Sequence, residues 1–448
     1  MKDSLGNSVH LNDAGSLAAL NDFVDGILRC EARAVNVLAL AESDESAIAQ
    51  AYCAALHMFA ETRDGPVNAR PFIDAAIAAA PRASTRERQF VAAIAAWIDG
   101  DLAQAIGLHQ QLARTHPRDL VSVKLGQYHL FNQGDAIGML RLALAALPAA
   151  SDVAQMHGMA AFGWEQCHLM PQAEAAGRTA LAMTPREPWA QHALAHVMLT
   201  QGRLQEGQQF MRHCSPTWTG LNSFMETHNW WHLALFEIDL GHADAALALY
   251  DRQVWGVVKA YSQDQIGAVS LLARLELAGV DVGDRWQDVA DHLQARTADQ
   301  VLPFLDLQYL YGLARAGRPQ AETLLRNIEA YGQTLAGSTG TSVTNAAPVW
   351  REVATPAAYG LMAHAQGRHA QATEALGQAL PKLLQIGGSH AQRDLFEQIH
   401  LDALLRCGHW AAAQQLVQQR CNHQPQSVRL QRQAARIYSV LGIDTAAA

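Results

Sequence analysis

Apolar residues recur at steps of three and four along nearly the whole chain, broken by short punctuation such as "DG", "GR" and "LP". That period is the signature of amphipathic helices, and the β-branched runs that mark strands are missing. Read from break to break, the pattern predicts helices near 14–30, 45–62, 84–99, 101–116, 118–133, 135–147 and 151–168. The series continues near 171–183, 187–200, 203–213, 222–240, 242–258, 264–278, 284–297 and 303–315. It closes with 319–332, 346–365, 367–384, 389–406, 409–422 and 426–441. The helices come in pairs. "FVAAIAAWIDGDLAQAIGLHQQLARTHP" and "ALAHVMLTQGRLQEGQQFMRHCSP" share one plan: a helix, a glycine turn, a second helix with small residues, and a terminator. A helix–turn–helix unit of about 34 residues is the tetratricopeptide plan, and such units stack side by side. The expectation is an all-α, tetratricopeptide-like α-solenoid of about ten helical hairpins over residues 1–448. It would be a single domain, strongly curved or closed because the repeat is degenerate. The segment 333–348, "GQTLAGSTGTSVTNAA", reads as an irregular loop, a lid or a simple crossover.

Three successive first helices carry histidine: His157 in "MHGMAAFGWEQ", His192 and His196 in "WAQHALAHVM", and His228 and His232 in "HNWWHLAL". His157, His192 and His228 fall 35 and 36 residues apart, one repeat length each. Counted back from the following turn residues Pro171, Gly202 and Gly241, the five lie at offsets of 14, 10, 6, 13 and 9. Those offsets step by three or four, so the five share one helix face, the face that lines the groove in tetratricopeptide arrays. Glu165 joins the stripe two turns beyond His157. Three uses are open. His192, His196, His228 and His232 form HxxxH pairs that could chelate a divalent transition metal. With His157 and Glu165 they could act as general acids and bases. Or they could donate hydrogen bonds to a peptide in the groove. The structural alternative is histidines stacked on Trp189, Trp230 and Trp231. The HExxH pattern of metalloproteases is absent.

"QIGGSHAQRDLFEQIH" (385–400) breaks at Gly387 and Gly388 and reads as a capping box of Ser389 and Gln392. His390, Arg393 and Asp394 then fill the first turn. Helix electrostatics account for Asp394 but not for Arg393, which could pair with an acid or hold a substrate carboxylate or phosphate. Asp306 sits on an otherwise apolar helix. Asp281, Arg285 and Trp286 read as turn and helix-start chemistry, and "STRERQF" (84–90) as an N-cap followed by a charged face.

Composition narrows the classes. Hydrophobic residues make up 50% of the 448, enough for a large core, and charged residues only 17%, with a formal charge of −9. Without a basic stripe, nucleic-acid binding has no electrostatic footing. Cys30, Cys53, Cys167, Cys214, Cys407 and Cys421 form no CxxC pair, which suits reduced thiols in a cytoplasmic protein. The polar opening residues show no signal-peptide block, and no apolar run is long enough for a membrane span. No GxGxxG, P-loop or GxSxG motif is present.

On "MHGMAAFGWEQ", "WAQHALAHVM", "HNWWHLAL", "RLELAGVDVGDRW" and "GGSHAQRDLF", the chain resembles the tetratricopeptide repeat protein 38 family over residues 84–430. The resemblance implies an all-helical fold in one cytosolic chain and little about activity. It carries over His157, Glu165, Trp189, His192, His196, His228, Asn229, Trp231, His232, Arg274, Asp306, Gly387, Gly388, Ser389, Gln392, Arg393 and Asp394. Gln308 departs from it, where the pattern favours histidine. The functional expectation is a small-molecule-binding protein of hydrolytic or acid/base chemistry, metal-assisted or not. Trp189, Asn229, Trp231, Asp306, His390, Arg393 and Asp394 would hold the ligand. The alternative is a scaffold that takes a peptide or protein partner. Monomer and homodimer are both open.

Overall fold

The computed structural model describes residues 1–336 and 346–443, and these are helical throughout, with no strand beyond two isolated bridges. Consecutive helices pair as antiparallel hairpins, each packed mainly on its neighbours in sequence, which is the all-α repeat arrangement that the periodicity predicts. No described helix is long and apolar enough to cross a membrane. All six cysteines are free thiols.

The described residues fall into two compact units. The first holds residues 1–193 and 217–225. Its hairpins include Ala47–Met58 with Gly65–Ala79, Thr85–Ile98 with Leu102–Thr115, Leu120–Asn132 with Ala136–Ala146, and Ala154–Gln166 with Met170–Met183. Phe23 stacks on Tyr52 at 4.4 Å, and Phe90 meets Tyr52 edge-on, at the centre of a core lined by alanine. The second unit holds residues 194–216, 226–336 and 346–443. There Ser262–Leu277 packs on Arg285–Leu293, Pro303–Arg315 on Gln320–Ala336, Thr355–Ala365 on His369–Ala379, and His390–Arg406 on Trp410–His423.

Local chemistry sets the helix ends. Asp101, Asp119 and Asp135 each accept a backbone N–H three residues on, satisfying an orphan donor worth about 1 kcal/mol per cap. Ser84–Glu87 and Ser389–Gln392 close complete capping boxes. Between paired helices the chain turns through a left-handed residue. Gly202 does so at φ 69°, where a Cβ would stand 2.8 Å from the His423 carbonyl oxygen. His168 takes the same conformation at φ 58° in the hairpin that lacks the glycine.

Five sequence expectations need correcting. The periodicity predicts no helix over 63–83, yet Gly65–Ala79 is one; Pro66 fits its first turn, and Pro71 is absorbed inside it. The charged face at 84–90 is not solvated, because Arg86 and Glu87 are buried. Arg86 donates to Asp119 at 2.7 Å and to the Ser8 carbonyl, while Glu87 accepts from the His10 backbone and ring. Helix 242–258 ends early in the π turn Tyr250–Val254, and 367–384 gives way to the 3-10 segment Leu380–Ile386 at Pro381. The loop expected over 333–348 is helical to Ala336 and again from residue 346; residues 337–345 lie outside the described part.

Candidate functional site

The second unit brings four imidazoles together from three helices. His196 comes from Pro188–Thr200, His228 and His232 from Ser223–Asp239, and His390 opens His390–Arg406. The i, i+4 spacing stacks His228 and His232 on one face, with ring centroids 4.7 Å apart and edge-to-face. His196 stands 4.5 Å from His232, and His390 closes on His196 from the other side at 5.2 Å, their Nδ1 and Nε2 atoms 3.5 Å apart. His196, His228 and His232 are buried, and each offers a ring nitrogen within 4.8 Å of the others. Burial, aided by neighbouring His196, pushes the His228 pKa down to about 3, so this ring is neutral and keeps a lone pair at any ordinary pH.

Around the rings the shell is part aromatic and part ionic. Trp231 lies flat against His228, 8° from parallel at 5.2 Å, and edge-on to His232 at 4.8 Å. The Arg274 guanidinium sits 5.5 Å from the Trp231 ring and donates to Asp394 at 3.2 Å and to the Ala391 carbonyl at 2.6 Å. Arg420 completes the clamp on Asp394 at 2.5 Å. Burial alone would raise the Asp394 carboxyl, but Arg420 and Arg274 together hold it well below the usual carboxylate range. This network fixes the first turn of the His390 helix on the helix that faces Trp231. Asn229 is fully buried, and among the described residues neither its amide oxygen nor its amide nitrogen has a hydrogen-bond partner. Such a group costs on the order of 1–3 kcal/mol and calls for an explanation.

The other sequence candidates make contacts of their own. In the first unit, His157 is half-buried and its Nε2 meets the Ser151 carbonyl at 2.9 Å, a local contact with the turn that precedes its own helix. Glu165 is buried and accepts from Gln166 at 2.6 Å. His192, one helical turn before His196, packs on Trp189 at 5.0 Å and Phe162 at 5.3 Å. Trp189 also carries the buried Lys124 ammonium over its face at 3.9 Å. In the second unit, Arg393 donates to the carbonyls of Gly387 and Gly388, bracing the glycine break, and Asp394 is held by Arg274 and Arg420. Asp306 is buried, with Oδ2 accepting from Gln300 at 3.0 Å, and desolvation drives its pKa well above the ordinary carboxylate value. Gln308 is buried two residues on. Asp281 accepts from the Gly283 backbone and Arg285 forks onto Asp251, which is turn and helix-start chemistry.

Sequence reasoning missed a second polar constellation in the same unit: Tyr311, His364, Asp402 and Arg406. Its members are spread over three helices, and apart from the i, i+4 pair Asp402 and Arg406 they are separated by tens of residues, so no spacing rule reveals the whole.

No family model matches the chain. Among solved structures, a chain of the structure of Naa15/Naa10 bound to HypK-THB is similar at 13% identity with a TM-score of 0.26, over 95% of this chain and 66% of that one. The chain therefore spans just under two thirds of that neighbour's length, a similarity too weak to bear on function.

Proposed function

We propose that the second unit holds a divalent transition-metal ion on His196, His228 and His232, and that this centre serves acid/base or hydrolytic chemistry on a small molecule. One observation carries the reading: three buried ring nitrogens from two helices, all within 4.8 Å of one another. Neutral imidazole is the donor that zinc, nickel and copper ions favour, and two ligands on one tetrahedral ion stand about 3.4 Å apart, within reach of these rings after small rotations. A divalent ion there supplies Lewis-acid polarisation of a bound oxygen. The chain's own groups do the rest. Trp231 fixes the ring plane of His228, Arg274 and Asp394 hold the His390 turn in place, and the His390 imidazole is positioned to carry a proton. The Asn229 amide offers two N–H donors and a carbonyl acceptor that no described residue uses. Membership of the tetratricopeptide repeat protein 38 family, and the cytoplasmic setting that it implies, belong to the same proposal.

The test is metal analysis of tag-free protein purified without chelator, together with thermal melts before and after dialysis against EDTA. The expected result is close to one equivalent of a first-row metal and a melting temperature that falls on chelation. His232→Ala should lose both. Metal-free protein that does not bind added zinc with micromolar or tighter affinity would refute the centre.

A second reading is a scaffold for a protein or peptide partner, favoured by the array of helical hairpins, an architecture that offers long surfaces to partners. A partner captured equally by wild type and His232→Ala would support it.

A further inference from the structure

A cavity of about 240 Å³ opens in the second unit where five helices meet, and its wall includes Tyr311, His364, Asp402, Arg406, Arg315 and His369. Three of these form a directed chain. His364 Nε2 lies 2.9 Å from Asp402 Oδ2, and the same oxygen accepts from Arg406 Nε at 2.6 Å. A carboxylate so placed can only accept, so Nε2 carries the ring hydrogen. In its neutral form the ring presents a lone pair at Nδ1, where the Tyr311 hydroxyl stands 3.1 Å away as donor. The order is therefore Tyr311 O–H to His364 to Asp402, a relay in which the carboxylate fixes the tautomer.

The cavity also holds donors that the fold leaves idle. Among the described residues Arg406 uses only Nε, so both Nη groups are uncommitted. Arg315 spends Nε and Nη2 on Glu276 and keeps Nη1. His369 Nδ1 is buried with no hydrogen-bond partner among the described residues. The wall acids are already matched, Glu276 by Arg315 and Asp402 by His364 and Arg406. The uncommitted capacity is thus mainly hydrogen-bond donors on arginine forks, the geometry that takes a planar oxyanion in a two-point grip.

We infer that this cavity binds a small molecule bearing a carboxylate or phosphate group, gripped by Arg406 and Arg315, with its neighbouring hydroxyl against Tyr311. When the ligand hydroxyl gives its proton to the Tyr311 oxygen, the phenolic hydrogen passes to His364 Nδ1. The ring becomes an imidazolium beside Asp402. The ligand ends one proton poorer, His364 one richer, and no electrons change hands. The volume suits a ligand on the order of ten heavy atoms, smaller than a drug-sized molecule.

Calorimetric titration of the full chain with lactate, succinate and inorganic phosphate tests this. At least one anion should bind saturably with a millimolar or tighter Kd, and which one binds separates the carboxylate source from the phosphate source. Arg406→Gln should weaken that anion tenfold or more. Should that variant not fold, Arg406→Lys keeps the charge beside Asp402 but loses the fork, and should show the same loss. Tyr311→Phe should weaken lactate at least fivefold while leaving succinate and phosphate within twofold. No saturable binding of any of the three, or undiminished binding by the Arg406 variants, would overturn the inference.

Discussion

Each unit contains buried histidines from adjacent helices, and the two groups are built differently. In the first unit His109 and His129 face each other at 5.6 Å. His109 Nδ1 meets the Ser122 hydroxyl at 2.8 Å, Gly126 makes room for its Cβ, and Trp97 and Phe90 wall in the pair. Burial drives the His109 pKa to about 3 and that of His129 well below its ordinary value. This is a pair of rings used as aromatic filling. In the second unit three rings crowd around a fourth, His196, His228 and His232 offer nitrogens to a shared space, and the buried Asn229 amide on the same helix as two of them has no partner among the described residues. Burial and a depressed pKa are common to both groups and so identify neither as a site. Convergence of lone pairs does.

The comparison can be broken most sharply by removing a ring. His232→Ala should cost about 3–5 kcal/mol in urea denaturation, in the range of large buried truncations, and should abolish the response of the melt to chelator. EDTA sensitivity in that variant equal to wild type would place the metal elsewhere.

Asp394→Asn comes next, with an expected loss of about 2 kcal/mol at neutral pH, because Arg274 and Arg420 would keep their charges and lose their counterion. The folded pKa of Asp394 is depressed, so its contribution is present above the unfolded value near 4 and is lost as pH falls through the lower folded one. The gap between wild type and variant should be flat from about pH 5 to 8 and close below about pH 4.

Acid should also act through the rings. His109 and His228 have folded pKa values lowered to about 3 against an ordinary 6.5. Their stabilising effect is therefore full above about pH 6.5 and drains away as pH falls, by at most roughly 1.4 kcal/mol per pH unit for each group. Denaturation at pH 7.5 and 5.5 measures it. Saturating zinc should blunt the share that comes from His228 and leave that from His109 untouched.

The smallest effect is expected at His129→Phe, within about 1 kcal/mol of wild type or better, since its buried Nε2 has no hydrogen-bond partner among the described residues and an apolar ring of similar shape removes that cost. The same change at His228 should be several times more damaging.

Much of the helical framework was legible because the period of three and four is imposed by packing and survives repeat decay. What failed were places where local rules compete: a helix that accommodates two prolines at Gly65–Ala79, and π and 3-10 turns where a helix stops short. Within the site, the shared face of His228 and His232 follows from their spacing. The approach of His390 to His196 does not, because 194 residues separate them. The same holds for Tyr311, His364 and Asp402, at separations of 53 and 38. Asn229 is a ligand-binding candidate in the sequence through the family resemblance; that its amide has no partner among the described residues needed coordinates.

The excursion of residues 217–225 back into the first unit has a consequence for how the chain is made. The Trp218 indole donates to Gln191, the Asn222 backbone N–H to the Cys30 carbonyl, and Leu221 bridges Glu31. A ribosome must therefore emit the whole of that return segment before the N-terminal unit can close. A fragment cut at residue 193 would leave the Gln191 side chain without its indole and the Cys30 carbonyl facing solvent, so the junction between the units is no place to divide the gene for expression.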